Sequence, residues 1–392
     1  MKVNEIIGLI PENLFDDLSA ETKVDKQVKK LTGETIFKLI LFSMLGSNKL
    51  SLRVMERFLA SAHFKYFNQR KQRARRGKKK KHPYGSKYNS ISDRICTMDA
   101  SYFEKLFEEL FKIYNKELKE ETALSKVDST YITLAAKLFS AGMEYGGDDS
   151  KRFVKFSIAL KGSLPCKAKV FTDQTHISEE IALAEVINET DVLANDIVVF
   201  DRGLQSRNSF DTFTETSKYF ITRGNLNIRC IVSESRSVSN KPEGSSVTIT
   251  SDEIGTLINK KEKKTSYRYR IIKGTIDESG EEICFITNLL DEDAYTVAKL
   301  YRERWDIELF FKFIKQHLNT SHLVSRDENG IRVMLYMTMI LATLLIVYKK
   351  TNKMKGFKMP KMAFEIELAN EMTKAIVIVC GGDPSKAPHL WK

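Results

Sequence analysis

Within the run LYRERWDIELFFKFIKQHL the chain carries Tyr301, Arg304, Glu308 and Lys315. At ~100° per residue on a helix, these four fall within a stripe roughly 60° wide. One carboxylate, two cations and a phenol then point the same way. Such a face suits phosphate binding beside a single metal-binding carboxylate. The ordinary alternative is a solvated helix face laced with charge pairs. The flanks weigh against it. Leu300, Ile307, Phe311 and Leu318 lie on one side of the stripe, and Trp305, Leu309 and Phe313 on the other. A stripe between two apolar flanks is half buried.

Two upstream segments add carboxylates. KVDSTYI at 126–132 reads as a short strand with Asp128 inside it. DIVVFDRG at 196–203 is an apolar run that ends in Asp201, with Gly203 to turn the chain. A continuous apolar run between turn signals suits a strand buried on both faces. A carboxylate at the end of such a strand sits at the mouth of the sheet, where α/β folds place ligands. Either Asp alone reads equally as a turn or cap residue. The argument rests on the triple.

Three converging carboxylates without a His or Cys partner favour a hard cation with oxygen ligands, Mg²⁺ or Mn²⁺. Two such ions roughly 4 Å apart activate an attacking oxygen and stabilise a leaving one in phosphoryl transfer. Zinc is disfavoured. The five cysteines show no CxxC spacing and the six histidines no HxxxH pair.

From these residues the chain resembles the DDE transposases of bacterial insertion sequences, in the group marked by a Tyr-(2)-Arg-(3)-Glu-(6)-Lys motif. The resemblance covers about residues 125–350. It takes in VDSTYITL, DIVVFDRG, YFITR at 219–223, FITNL and the run around Glu308. It implies that Asp128, Asp201 and Glu308 are catalytic and bind the metal, with Tyr301, Arg304 and Lys315 as DNA-contacting companions. It implies a ribonuclease-H-like fold, and an enzyme that cuts DNA at transposon ends and joins it to target DNA. The partners are then terminal inverted repeats and target DNA, and a homodimer in the synaptic complex. Many relatives carry a His-Asp pair after the third strand. Here the run is His176-Ile177-Ser178-Glu179-Glu180, and His176 receives no role.

Composition fits a DNA partner. Lys and Arg outnumber Asp and Glu by 63 to 51, a net charge of +12. Arg70, Lys71, Arg73, Arg75, Arg76 and Lys78 to Lys81 form a basic block without an acid. It reads as a polyanion-binding arm or as a solvated loop. An odd cysteine count without framework spacing fits a reducing cytosol, so a cytoplasmic setting is expected, and the resemblance implies a bacterial one. The first residues lack the pattern of a signal peptide. The apolar stretch 333–347 is shorter than the ~20 residues that span a bilayer, which predicts a buried core helix and no membrane partner.

The expected architecture is α/β. Residues 1–120 form an all-helical, DNA-binding N-terminal domain with a basic loop at 65–90. Within it, helix 34–45, a Gly46-Ser47-Asn48 stop and a helix capped by Ser51 have the outline of a helix-turn-helix. Residues 121–350 form a ribonuclease-H-like mixed-sheet catalytic domain with a β-rich insertion at about 226–287. Strands at 127–134, 152–161 and 166–172, a helix at 178–188 and the Asp201 strand set its order. In the insertion, Tyr267, Arg268, Tyr269 and Arg270 suit either base stacking or alternating strand faces. Residues 351–392 form a C-terminal tail. Two other functions remain open: a ribonuclease-H-like nuclease without strand transfer, and a non-catalytic DNA-binding descendant of a transposase.

Overall fold

A computed structural model describes residues 1–47, 50–68, 85–120, 122–135, 142–144, 151–189, 196–259, 261–318, 323–325 and 327–387. The basic block at 70–81 lies outside the described residues. Two compact units emerge, each built from separate stretches of chain. One comprises Met1–Lys119, Thr133–Ala141 and Lys312–Lys392; the other comprises Glu120–Ile132 and Gly142–Phe311.

The first unit is helical. It contains α1 (Val3–Gly8), α2 (Leu14–Thr22), α3 (Gly33–Leu45), α4 (Leu52–Ala60), α5 (Ala62–Phe67), α6 (Tyr88–Thr97) and α7 (Ser101–Leu118). Side-chain caps set several starts. Thr32 accepts from the Thr35 amide before α3, and Ser51 from the Val54 amide before α4. The later helices α12 (Glu328–Thr351) and α13 (Lys358–Val379) belong to this unit. Helix α12 packs against α7, α6 and α13. By length and composition it is apolar enough to cross a membrane, yet 94% of its most apolar window is buried inside the protein. It is therefore a core helix, as its sequence predicts.

The second unit is built on a nine-stranded sheet. Its strands are β1 (Leu124–Ala135), β2 (Lys151–Lys161), β3 (Leu164–Phe171), β4 (Ile197–Phe200), β5 (Tyr219–Arg223), β6 (Cys230–Ser235), β7 (Val247–Ile258), β8 (Lys264–Ile276) and β9 (Glu282–Thr287). They lie in the order β3-β2-β1-β4-β5-β9-β8-β7-β6. Strands β2 and β3 form an antiparallel hairpin, while β1, β4 and β5 run parallel. This mixed five-strand order is the ribonuclease-H arrangement. The insertion does not stand apart from it. Strand β9 pairs antiparallel with β5, so β6 to β9 extend the same sheet.

Helices cover both faces of the central strands. Helix α10 (Ala294–Arg302) packs on one face through Ala294, Tyr295, Val297 and Ala298, against Leu124, Val199, Ile221 and Phe285. Helix α9 (Arg207–Glu215) covers the other. There Phe200 packs against Phe210, Phe213 and Phe220. Helix α8 (Glu179–Asn188) packs on β2 and β3. The apolar run of β4 thus has Val199 on one face and Phe200 on the other, as burial on both sides requires.

Candidate active site

Strand alternation fixes where the two aspartates point. Leu124, Lys126 and Asp128 share a parity on β1, and Ile197, Val199 and Asp201 share one on β4 and just past its end. Leu124, Val199 and Ile197 all pack in the cluster beneath α10. Val127 is the register partner of Phe200. Asp128 and Asp201 are the next residue on each strand, so they emerge side by side on the α10 face.

The expected single helix carrying the four-residue motif is interrupted. Tyr301 lies in the last turn of α10, and Glu303 and Arg304 form a turn. Helix α11 (Trp305–His317) carries Glu308 and Lys315. Backbone amides of Glu303, Arg304, Asp306 and Ile307 each bond the carbonyl three residues back. This tightens the chain towards 3-10 geometry and breaks the α-helical phase on which a single stripe depends. The second apolar flank also differs. Phe313 is buried, but Trp305 and Leu309 are 58% and 47% exposed.

The break still brings Arg304 onto the carboxylates. Its Nη1 lies 3.4 Å from Asp128 Oδ2 and its Nη2 donates to Glu308 Oε1 at 2.5 Å. Arg304 also lies over the Tyr301 ring, 5.8 Å from its centroid. The Tyr301 hydroxyl donates to Asp201 Oδ1 at 3.4 Å. Five of the six expected site residues therefore form one connected group: Asp128, Asp201, Tyr301, Arg304 and Glu308. Lys315 lies further along α11, exposed, on the stretch that belongs to the helical unit.

Burial dominates the electrostatics. It pushes the Asp128 carboxyl up to about 6, against the Ser129 amide and Arg304, which favour its charge, and with Glu179 and Asp201, which oppose it. Burial pushes the Tyr301 phenol up to about 12, so it remains a donor at neutral pH. Burial disfavours the Arg304 charge, but Tyr301, Glu308, Asp201 and Asp128 outweigh it and raise its pKa.

The donor set suits a hard cation at the aspartate pair. Every donor is an oxygen, and burial holds the Asp128 carboxyl above the ordinary range despite Arg304. Arg304 is the cation paired with both Asp128 and Glu308. Among the described residues no three Asp, Glu, His or Cys side chains stand together ready to hold a metal ion.

Two residues at this site carried no distinguishing sequence signal. Lys126, almost fully buried, donates to Asp306 Oδ2 and to the Gly162 carbonyl, both at 3.0 Å. Glu179, at the start of α8, accepts from the buried Lys155 at 3.0 Å and packs against Gly203, where a Cβ would come within 2.6 Å of its Cγ. His176 stacks on Phe171 and pairs with Glu185 at 2.8 Å, a local structural role. In the insertion, Tyr269 and Arg270 are buried. Tyr269 bonds Asp211 and Arg270 bonds Asp252, whereas Tyr267 and Arg268 are exposed.

Residues 122–345 match the model of the transposase DDE domain. The chain belongs to that family. Its relatives include a protein named as a transposase for insertion sequence element IS5377 of Geobacillus stearothermophilus, 24% identical over 71% of each chain. A second, from Synechocystis sp., is named for insertion sequence element IS4SA and is 27% identical over 67% of this chain and 75% of its own. A third, transposase y4zB of Sinorhizobium fredii, is 30% identical over 40% of this chain and 43% of its own. Among solved structures, a piggyBac transposase synaptic complex with hairpin DNA aligns with 91% of this chain and 73% of its own. The TM-score is 0.45 and the identity 11%. This member of the bacterial insertion-sequence DDE transposases thus carries its Asp128–Asp201 pair and the Arg304 bridge within the matched domain.

Proposed function

We propose that this transposase cuts DNA at the ends of its insertion sequence and joins the freed strand to target DNA. In this reading Asp128, Asp201 and Glu308 hold one or two Mg²⁺ or Mn²⁺ ions. The observation that carries it is the Arg304 guanidinium, in reach of Asp128 on the sheet and Glu308 on α11, beside Asp201. Arg304 pairs with Asp128 and Glu308 from two distant segments, and Tyr301 links Asp201 to the same group, at the edge where α/β sheets take ligands. A divalent cation held there supplies Lewis-acid activation of the attacking oxygen and charge stabilisation of the leaving one.

The chain's own groups position the substrate. Arg304 has the planar fork that grips a phosphate bidentately. The protonated Tyr301 phenol donates beside it. Lys315 adds a point charge further along α11. The basic block at 70–81 and the N-terminal helices supply non-specific grip on the duplex. Joining two ends calls for two copies of the chain in the synaptic complex. The setting is the bacterial cytoplasm, where the element's DNA lies.

The test is direct. The protein is incubated with its element's end DNA and Mg²⁺, and nicked, hairpin and joined species are resolved. Wild type yields joined product. Asp128→Ala yields none of the three, yet retains end binding, because it removes a metal ligand and leaves the phosphate contacts in place. Hydrolysis without any joining on the element's own ends would replace this reading with that of a plain nuclease.

A further inference from the structure

Arg304 is a DNA contact in the reading above, and its guanidinium has a second set of partners in the structure. It fills the space between two carboxylates that the reading assigns to a metal ion. Nη1 and Nη2 take Asp128 and Glu308. The side chain is only 14% exposed. Its third nitrogen, Nε, is buried and has no hydrogen-bond partner. A buried guanidinium N–H without an acceptor is uncommon, and it signals that this pose leaves a bond unmade. A phosphodiester engages a guanidinium through two parallel N–H donors. An Nε–Nη2 grip on phosphate would satisfy the orphaned donor and draw on Nη2, the nitrogen that now serves Glu308.

We propose, resting on the metal-site reading above, that Arg304 is the resident counter-cation of this carboxylate cluster, and that a phosphodiester draws it away so that a divalent ion can enter. A guanidinium and a divalent cation within about 4 Å of the same carboxylates repel and compete for the same lone pairs. Ion binding and phosphate binding are therefore coupled through one side chain. The coupling is reciprocal by thermodynamic necessity. Its consequence is that the ion site is weak in the free protein and strong on DNA. That confines strand cutting to protein already seated on its substrate.

The test needs no DNA and no turnover. Full-length protein is titrated with Mn²⁺, and the free ion is followed by electron paramagnetic resonance. Wild type, Arg304→Met, Arg304→Lys and Asp128→Asn are compared after circular dichroism has checked their fold. Arg304→Met is expected to bind Mn²⁺ about tenfold more tightly than wild type, within the usual range of coupling between sites. Arg304→Lys, whose ammonium lacks the two-pronged reach, is expected to fall between them. Unchanged or weaker binding by Arg304→Met overturns the counter-cation role and leaves the metal site standing. If Arg304→Met does not fold, Arg304→Lys decides in the same way: tighter binding supports the role, equal or weaker binding overturns it. Asp128→Asn must lose the Mn²⁺ site. If it binds as wild type does, the ion sits elsewhere, and the metal-site reading falls together with this one.

Discussion

The buried ammonium of Lys126 on β1 lies 3.0 Å from Oδ2 of Asp306 in the first turn of α11. Each residue stands two positions before a carboxylate of the site: Lys126 before Asp128, and Asp306 before Glu308. The same ammonium also donates to the Gly162 carbonyl. This ion pair therefore ties the start of α11 to β1 beside the point where Arg304 bridges Asp128 and Glu308.

This tether gives a first expectation. Asp306 is more than half exposed, but its partner is 4% exposed and keeps the Gly162 carbonyl when the carboxylate is removed. Asp306→Ala is expected to lower stability by about 1–3 kcal/mol, as for a lost hydrogen bond to a charged group. The shift is read as a lower urea midpoint with an unchanged slope. An unchanged midpoint would mean that other contacts alone hold the start of α11.

Capping of α10 makes a second, pH-dependent case. Asp293 accepts from the amides of Tyr295 and Thr296 and from the Ser239 hydroxyl. The Ser239 bond, then the two amides and Arg270, hold its carboxyl below the ordinary range against the burial penalty. A depressed folded-state pKa stabilises the fold above the unfolded-state value of about 4, and that contribution is lost as pH falls through the folded value. Asp293→Ala should thus cost about 1 kcal/mol at pH 7, typical of an N-cap. The gap between wild type and variant should close as the pH is lowered below about 4. Urea titrations of both proteins at neutral and acid pH check this, and a gap independent of pH would remove the charged cap from the account.

Much of this site was legible because its parts obey short-range rules. DIVVFD reads as a doubly buried strand, and Val199 and Phe200 do pack on opposite faces, leaving Asp201 at the strand end. Other parts were not legible, for physical reasons. No Gly or Pro marks the break at Glu303 and Arg304, because the stretch 300–318 contains neither. The break coincides with the end of α10, which is packed against β4, β5 and β7, so tertiary packing overrides a strongly helical sequence. Trp305 and Leu309 looked like a buried flank on hydrophobicity alone, yet the tightened turn leaves them facing out. Lys126 and Glu179 gain their places from partners 180 and 24 residues away. No local pattern carries such pairings.

A third expectation concerns the basic block. Arg70 to Lys81 contributes nine charges with no acid among them. Neutralising the block should weaken DNA binding and flatten its salt dependence. Each lost phosphate contact removes about 0.9 from the slope of log affinity against log salt. Binding isotherms across a salt series measure it, and an unchanged slope would show that the block does not touch DNA.

The last expectation separates strand transfer from simple hydrolysis. Hydrolysis needs the carboxylates but has little use for a phosphate grip that persists after the first cut. Transfer must hold one strand end through successive reactions at one site. Arg304 offers a bidentate fork and Lys315 a flexible point charge, one at the turn before α11 and one two turns beyond Glu308. Arg304→Ala leaves Asp128, Asp201 and Glu308 in place, and on the counter-cation argument it eases ion entry. The first nick should therefore survive in both Arg304→Ala and Lys315→Ala, while hairpin and joined products fall more steeply. A time course on end-bearing DNA, resolving all three species for each variant, measures the ratio. Equal loss at every step would mean that these cations serve initial binding alone, and the case for a site specialised to hold strand ends would lose its footing.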